Sequence, residues 1–250
     1  MFVVAIARLG PSREDQVQRL AKDLDATVLE TRMLLARGFP VAVLRTAEKD
    51  RAMAVLARLR AQHHQAVAFD TNSVIYRDSM IRPRALVFEP DGLRGETAEL
   101  CYGAMRALIL GSQPTRSETT YTTKQRKVAL VRAVVTGGAQ TTKLVKKVNH
   151  LIAEDRERIL FIYPRTNTTP WCLEEHGIRY QCLGSEMTTN HMENFRLVVS
   201  RVRSLAQGAV YDDSLVQFAG ASHDKLGQQA IDEQAHLIAL CAAKGFLARP

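Results

Sequence analysis

The sequence predicts an α+β fold, and three features of its 250 residues point that way. Residues 1–70 alternate apolar strand-like runs with amphipathic helical stretches. Residues 117–185 are rich in threonine, valine and aromatic side chains, in short runs broken by Gly, Pro, Asn or charge clusters. Residues 190–244 return to helical periodicity. Hydrophobic residues make up 46% and charged residues 24%, the proportions of an ordinary globular protein.

The elements follow in order. "FVVAIARL" (2–9) is a strand and not a secretory leader, because Arg8 interrupts it and no basic n-region or cleavage site accompanies it. Ser12 and Asp15 have N-cap spacing ahead of a helix with Val17, Leu20, Ala21 and Leu24 on one stripe. Thr27 and Glu30 form a capping box for a second helix, which stops at Gly38 with Pro40 just beyond. "VAVLRT" (41–46) is a strand. From Thr46 a third helix puts Ala52, Val55, Leu56 and Leu59 on one face, and "QAVAFD" (65–70) closes a β-α-α-β-α-β unit. Residues 71–83 read as a linker ending at Pro83.

A second, β-rich domain is expected over 84–218. It opens with "RALVFEP" (84–90), a strand that meets a turn at "PDG", and continues with a buried helix near 98–110, apolar almost all round. "RILFIYP", "PWCLEE" and "IRYQCLG" are further strands, arranged as an antiparallel sheet, sandwich or small barrel. A helix near 190–206 follows, capped by Asn190 with Glu193, with Met192, Phe195, Val199 and Val202 as its stripe. A C-terminal helix lies within 219–250, from about Ser222 to Lys244. The order of elements is similar to pleckstrin-homology-like folds, and the stripes on the last two helices can pack on the sheet or on a second copy of the chain.

The order and spacing of residues 2–70 resemble the C-terminal domain of the bacterial ribosomal stalk protein. "RGFP" (37–40) sits where that family has a Gly-x-Pro, and "AEKDRAMAVLARLRAQ" (47–62) matches the alanine and leucine spacing of its third helix. The resemblance implies a three-stranded fold that contacts other proteins through basic and small apolar residues of its first helix. The corresponding basic residues are Arg19 and Lys22, whereas Gln18 replaces an isoleucine of that face. "DAT" (25–27) replaces the family's glycine-rich joint, and this segment lacks the family's acidity.

Net charge is +8 and unevenly spread. Residues 115–165 carry 11 Lys/Arg against 4 Asp/Glu, and residues 166–250 carry 7 against 9. Within the basic segment "VVTGGAQTTKLVKK" (134–147) has the look of a phosphate loop. It lacks the G-x-x-x-x-G-K-[ST] pattern, and strand-like sequence lies on both sides, so Gly137–Gly138 is expected to turn a hairpin. The anion-binding candidates are Lys124, Arg126, Lys127, Lys143, Lys146 and Lys147, with Arg132 nearby. Alternation along a strand puts Lys124 and Arg126 on one face, where they would attract phosphates of nucleic acid or anionic lipid. The same charges also suit a solvated, aggregation-resistant sheet face.

The four cysteines (Cys101, Cys172, Cys182, Cys241) form no C-x-x-C and read as reduced and buried. The spacings of Cys172, His176, Cys182 and His191 match no compact zinc pattern, so no metal is expected. His63 and His64 cap the third helix. Neither G-x-S-x-G nor H-E-x-x-H occurs, "EPD" (89–91) has no [DE]-x-K on a later strand, and Glu174–Glu175 reads as a turn. No run of about 18 apolar residues occurs. These readings converge on a non-catalytic, cytoplasmic protein-interaction protein without a cofactor. Binding of nucleic acid or anionic membrane through 115–165 is the alternative, and an enzyme whose site is assembled from distant residues is the third.

Overall fold

The computed structural model describes residues 1–11, 15–128, 142–166, 168–216 and 225–247, with side chains described outside 114–155 and 225–226. Helices and sheets are both present, the α+β class expected. The chain forms two compact units, Met1–Gln113 with Glu157–Pro250, and Pro114–Arg156. The expected domain boundary at 71–83 therefore falls inside the first unit.

The first unit begins with β1 (Phe2–Arg8), α1 (Gln16–Leu24), α2 (Val28–Leu35), β2 (Val41–Thr46), α3 (Lys49–Ala61) and β3 (Gln65–Asp70). β1 is the central strand, antiparallel to β2 and to β3. Its alternate residues serve two cores. Val4 and Ile6 pack with Leu20 and Leu24 of α1 and with Val55 and Leu59 of α3. Val3, Ala5 and Ala7 pack with Val67, Phe69, Leu237 and Cys241. A strand covered on both faces needs apolar residues at every position, which explains the unbroken run of β1. The Thr27–Glu30 capping box is formed, while Ser12 lies outside the described residues.

The segment 71–83 is not a linker. Val74 and Met80 are buried, and Arg77, 5% exposed, is locked to Asp232, 2% exposed. Arg77 Nε donates to Asp232 Oδ1 at 2.9 Å, the Arg77 backbone N–H donates to Oδ2 at 3.0 Å, and Nη2 lies 2.7 Å from Oδ1, a charge contact outside hydrogen-bond angles. Arg77 Nη1 also donates to Gln113 Oε1, and Gln113 Nε2 donates to Glu157 at 2.8 Å. The next residues, Ile81 and Trp171, form a parallel bridge. Sequence periodicity cannot register a strap held by a buried ion pair and isolated apolar anchors.

The expected helix near 98–110 is also corrected. After β4 (Val87–Phe88) and β5 (Gly92–Arg94), the chain forms β6 (Glu99–Cys101), a short 3-10 turn and β7 (Met105–Val128). β8 (Thr142–Pro164), β9 (Trp171–Glu174), α4 (His191–Leu205), β10 (Val210–Leu215) and α5 (Lys225–Ala243) complete the chain, and "IRYQCLG" forms a 3-10 segment (Tyr180–Glu186) in place of a strand. The sheet order is β10-β7-β8-β9, with β10 parallel to β7 and β9 antiparallel to β8. The sheet is therefore mixed, where an antiparallel one was expected.

Helices cover both faces of this sheet, which sets it apart from a barrel closed by a single helix. Leu108, Leu160 and Ile162 face α4 through Phe195, Val198 and Val202. Ala107, Ile109, Ile159 and Phe161 face α5 through Ile231, Ala235 and Ile238. α5 turns its other side, Leu237 and Cys241, to β1 and β3. The order through the first unit is thus α1/α3, sheet, α5, sheet, α4, and α5 has no free face along its middle. Phe195, Val199 and Val202 of the expected α4 stripe are buried, whereas Met192 is 51% exposed, and α5 buries its apolar residues within the chain. Gly245 continues with φ +70, a conformation suited to glycine, just past the end of α5.

The second unit, 114–156, holds the parts of β7 and β8 that lie in that range. The hairpin expected at Gly137–Gly138, and Arg132, lie outside the described residues.

Buried His64 and half-buried His236 are expected to make stability depend on pH. His64 Nδ1 accepts a 2.8 Å hydrogen bond from the Gly10 N–H, and burial, opposed by Asp23 and assisted by His63, holds its pKa below the usual 6.5. Burial does the same to His236, whose ring lies 5.1 Å from that of Phe69. Each folded value lies below the unfolded one, so the unfolded chain binds more protons in the window beneath about pH 6.5. The stabilisation is fully present above that pH and is lost as pH falls through the folded values. Urea midpoints should therefore drop between about pH 7.5 and pH 5, and a His64→Asn/His236→Phe variant should show a shallower drop. An equal drop in both proteins would assign the pH dependence to other groups.

Candidate functional site

Two exposed regions of the first unit have the make-up of binding surfaces. The first is on α1 and α2. α1 buries Leu20, Ala21 and Leu24, which turns Arg19 and Lys22 outward. Arg19 pairs with Asp15 one turn earlier, an exposed contact worth roughly 0–1 kcal/mol. The two basic residues do not converge. Lys22 borders a shallow cavity of about 300 Å³ with the ion pairs Asp23–Arg58 (3.2 Å) and Asp25–Arg51 (3.7 Å), while Arg19 borders another beside Gln62 and His63.

α2 carries the feature that sequence reading missed. Glu30 N–H donates to Thr27 Oγ1 at 3.2 Å and Thr27 N–H donates to Glu30 Oε2 at 2.8 Å, and these bonds lower the Glu30 pKa. This first turn is well closed, yet the helix "VLETRMLL" buries only Thr31. Val28, Leu29 and Met33 are 37%, 67% and 62% exposed, Phe39 follows at the same surface level, and Arg32 and Arg37 are exposed beside them. An apolar side chain on a surface helix is normally turned inward, so three turned outward form an unusual exposed apolar patch. Without alternation between apolar and polar residues, helical periodicity gave no sign of which side faces solvent.

The second region is a cavity of about 190 Å³ under α4. Leu110 of β7, Phe195 and Val199 form its apolar lining, and Arg158 of β8, Arg196 and Arg203 of α4 supply three guanidinium groups. Ser200 lies on the α4 side and Tyr211 of β10 on the other. The Arg203 guanidinium carbon sits 4.1 Å from the Tyr211 ring centroid, and burial above all pushes the Tyr211 hydroxyl pKa up. Arg45, Arg58, Arg77 and Arg94 each have a carboxylate within 3.2 Å, whereas among the described residues Arg158, Arg196 and Arg203 have no carboxylate ion pair.

Other sequence-predicted residues are placed as follows. The backbones of Lys124, Arg126 and Lys127 belong to β7 and those of Lys143, Lys146 and Lys147 to β8, and their side chains lie outside the described residues. Cys172 and Cys241 are buried and reduced, but Cys182 is half-buried and Cys101 exposed. Cys172 faces the α5 core, and His176 stacks on His191 with ring centroids 5.9 Å apart, so the four Cys/His positions do not assemble. Among the described residues no group of three metal-ligating side chains occurs. Glu174 is half-buried, and burial with the charge of Glu157 raises its pKa; Glu175 is buried and accepts the Arg158 backbone N–H at 3.0 Å. No helix among the described residues is long and apolar enough to cross a membrane. Comparisons of the chain with protein-family models, curated proteins and solved structures gave no match.

Proposed function

We propose that this chain is a non-catalytic cytoplasmic interaction protein that docks a partner protein on the exposed apolar face of α2. The observation that carries this reading is the outward placement of Val28, Leu29 and Met33 on a helix that buries only Thr31. Charge complementarity defines the partner. Arg32 and Arg37 flank the patch, while the acid on α2, Glu30, is occupied by its capping box. An apolar segment bordered by Asp or Glu fits such a surface. The β-α-α-β-α-β order of residues 2–70 supports a stalk-protein-like docking module, with Arg19 and Lys22 on the neighbouring helix as peripheral basic contacts.

The test uses the full chain, because α5 packs on β1 and β3 and a fragment ending near residue 78 would separate Arg77 from Asp232. A photo-reactive side chain at Arg32 should form an adduct with one discrete heterologous protein, and Leu29→Asp with Met33→Asp should abolish it. The same adduct in wild type and variant, or adducts only with a second copy of this chain, would refute the reading. Both substitutions are on the surface and should change folding stability by no more than about 0.5 kcal/mol.

A further inference from the structure

We propose that the cavity between α4 and the sheet binds a small organic phosphate, its phosphoryl group held by Arg158, Arg196 and Arg203 and its apolar body against Leu110. No part of the α2 reading enters this proposal.

The argument starts from charge. Arg158, Arg196 and Arg203 border one concavity and have no carboxylate ion pair among the described residues, in contrast to the Arg45–Glu233 and Arg77–Asp232 pairs. Asp212 and Asp213 act electrostatically on Tyr211, and Asp212 accepts bonds from Ser214. A guanidinium presents a planar fork of N–H donors that fits two phosphate oxygens at once. A phosphomonoester near neutral pH carries close to two negative charges on three such oxygens. It therefore matches a three-arginine rim better than a single carboxylate does.

The geometry sets the size. A cavity of about 190 Å³ is below the roughly 300–1,000 Å³ of drug-sized sites, so it admits a phosphoryl group with one small ring. Leu110 is half-buried, is backed by a core that includes the fully buried Phe195, and gives the ring an apolar contact. The ring of Tyr211 is already occupied by Arg203, which leaves no aromatic platform for successive stacked bases. This favours a free small phosphate over a single-stranded polynucleotide. Tyr211 keeps its proton at neutral pH and offers a neutral O–H donor beside the arginines.

Titration calorimetry of the full chain with phenyl phosphate at low salt tests the proposal. Wild type should bind phenyl phosphate more tightly than inorganic phosphate, and the Leu110 and Val199 methyl resonances should shift during the titration. Arg196→Gln with Arg203→Gln should weaken binding about a hundredfold, since each charged hydrogen-bonding group contributes at least about tenfold. Both residues are exposed, so the melting temperature should change little, and exposed Lys49→Gln with Lys244→Gln should leave binding intact. The proposal is overturned if wild type does not bind phenyl phosphate, or if the arginine variant binds it equally. Methyl shifts away from the cavity would also overturn it, as would binding of a single-stranded oligonucleotide alone.

Discussion

Asp232→Ala is expected to destabilise the protein by about 3–5 kcal/mol, read as a lower urea midpoint at unchanged slope. Asp232 lies on α5, between the two sheets, and accepts from Arg77 Nε and the Arg77 backbone N–H. Its removal leaves a buried guanidinium with only Gln113 and the ring of Phe161, 5.8 Å from the guanidinium carbon, for company. An uncompensated charge in such a place outweighs any packing change. Replacing the pair together, Arg77→Met with Asp232→Leu, should be far milder, because no charge is then stranded. If Asp232→Ala costs less than about 1 kcal/mol, the strap at 71–83 is not held by this pair.

Trp171→Ala is expected to cost about 3–5 kcal/mol, with Trp171→Phe costing less. The indole is 1% exposed and packs among Leu86, Leu93, Leu160 and Ile178. On the backbone, Ile162 opposes Trp171 across the β8–β9 ladder, and Ile81 pairs with it on the other side. Truncation opens a cavity where the strap, β9 and the small β4-β5-β6 sheet meet, and rigid strands on two sides limit collapse. A loss under about 1 kcal/mol would mean that this junction repacks freely.

The sequence was most legible where one element has one buried face. Leu20, Ala21 and Leu24 on α1 and Ala52, Val55, Leu56 and Leu59 on α3 are all buried, as their stripes required. Reading failed where burial is two-sided. "MRALIL" opens β7, whose successive residues Ala107 and Leu108 face α5 and α4, so apart from Arg106 its run is apolar and imitates a buried helix. The strap at 71–83 depends on a partner, Asp232, that lies 155 positions away from Arg77. Both proposed binding regions escape sequence reading for similar reasons. The α2 patch is defined by exposure, which composition does not report. Arg158, Arg196, Arg203 and Tyr211 come from β8, α4 and β10, and their convergence exists only after folding. The net charge of −2 over residues 166–250 conceals the arginines of α4.

The central claim is that α2 is a docking face. Its most direct measurement is the affinity of the purified partner recovered through Arg32, for the wild-type chain and for Leu29→Asp with Met33→Asp. Two buried anchor residues contribute about 2 kcal/mol or more together, so the variant should bind at least about thirtyfold more weakly at an unchanged melting temperature. Equal affinities for the two proteins would contradict the claim.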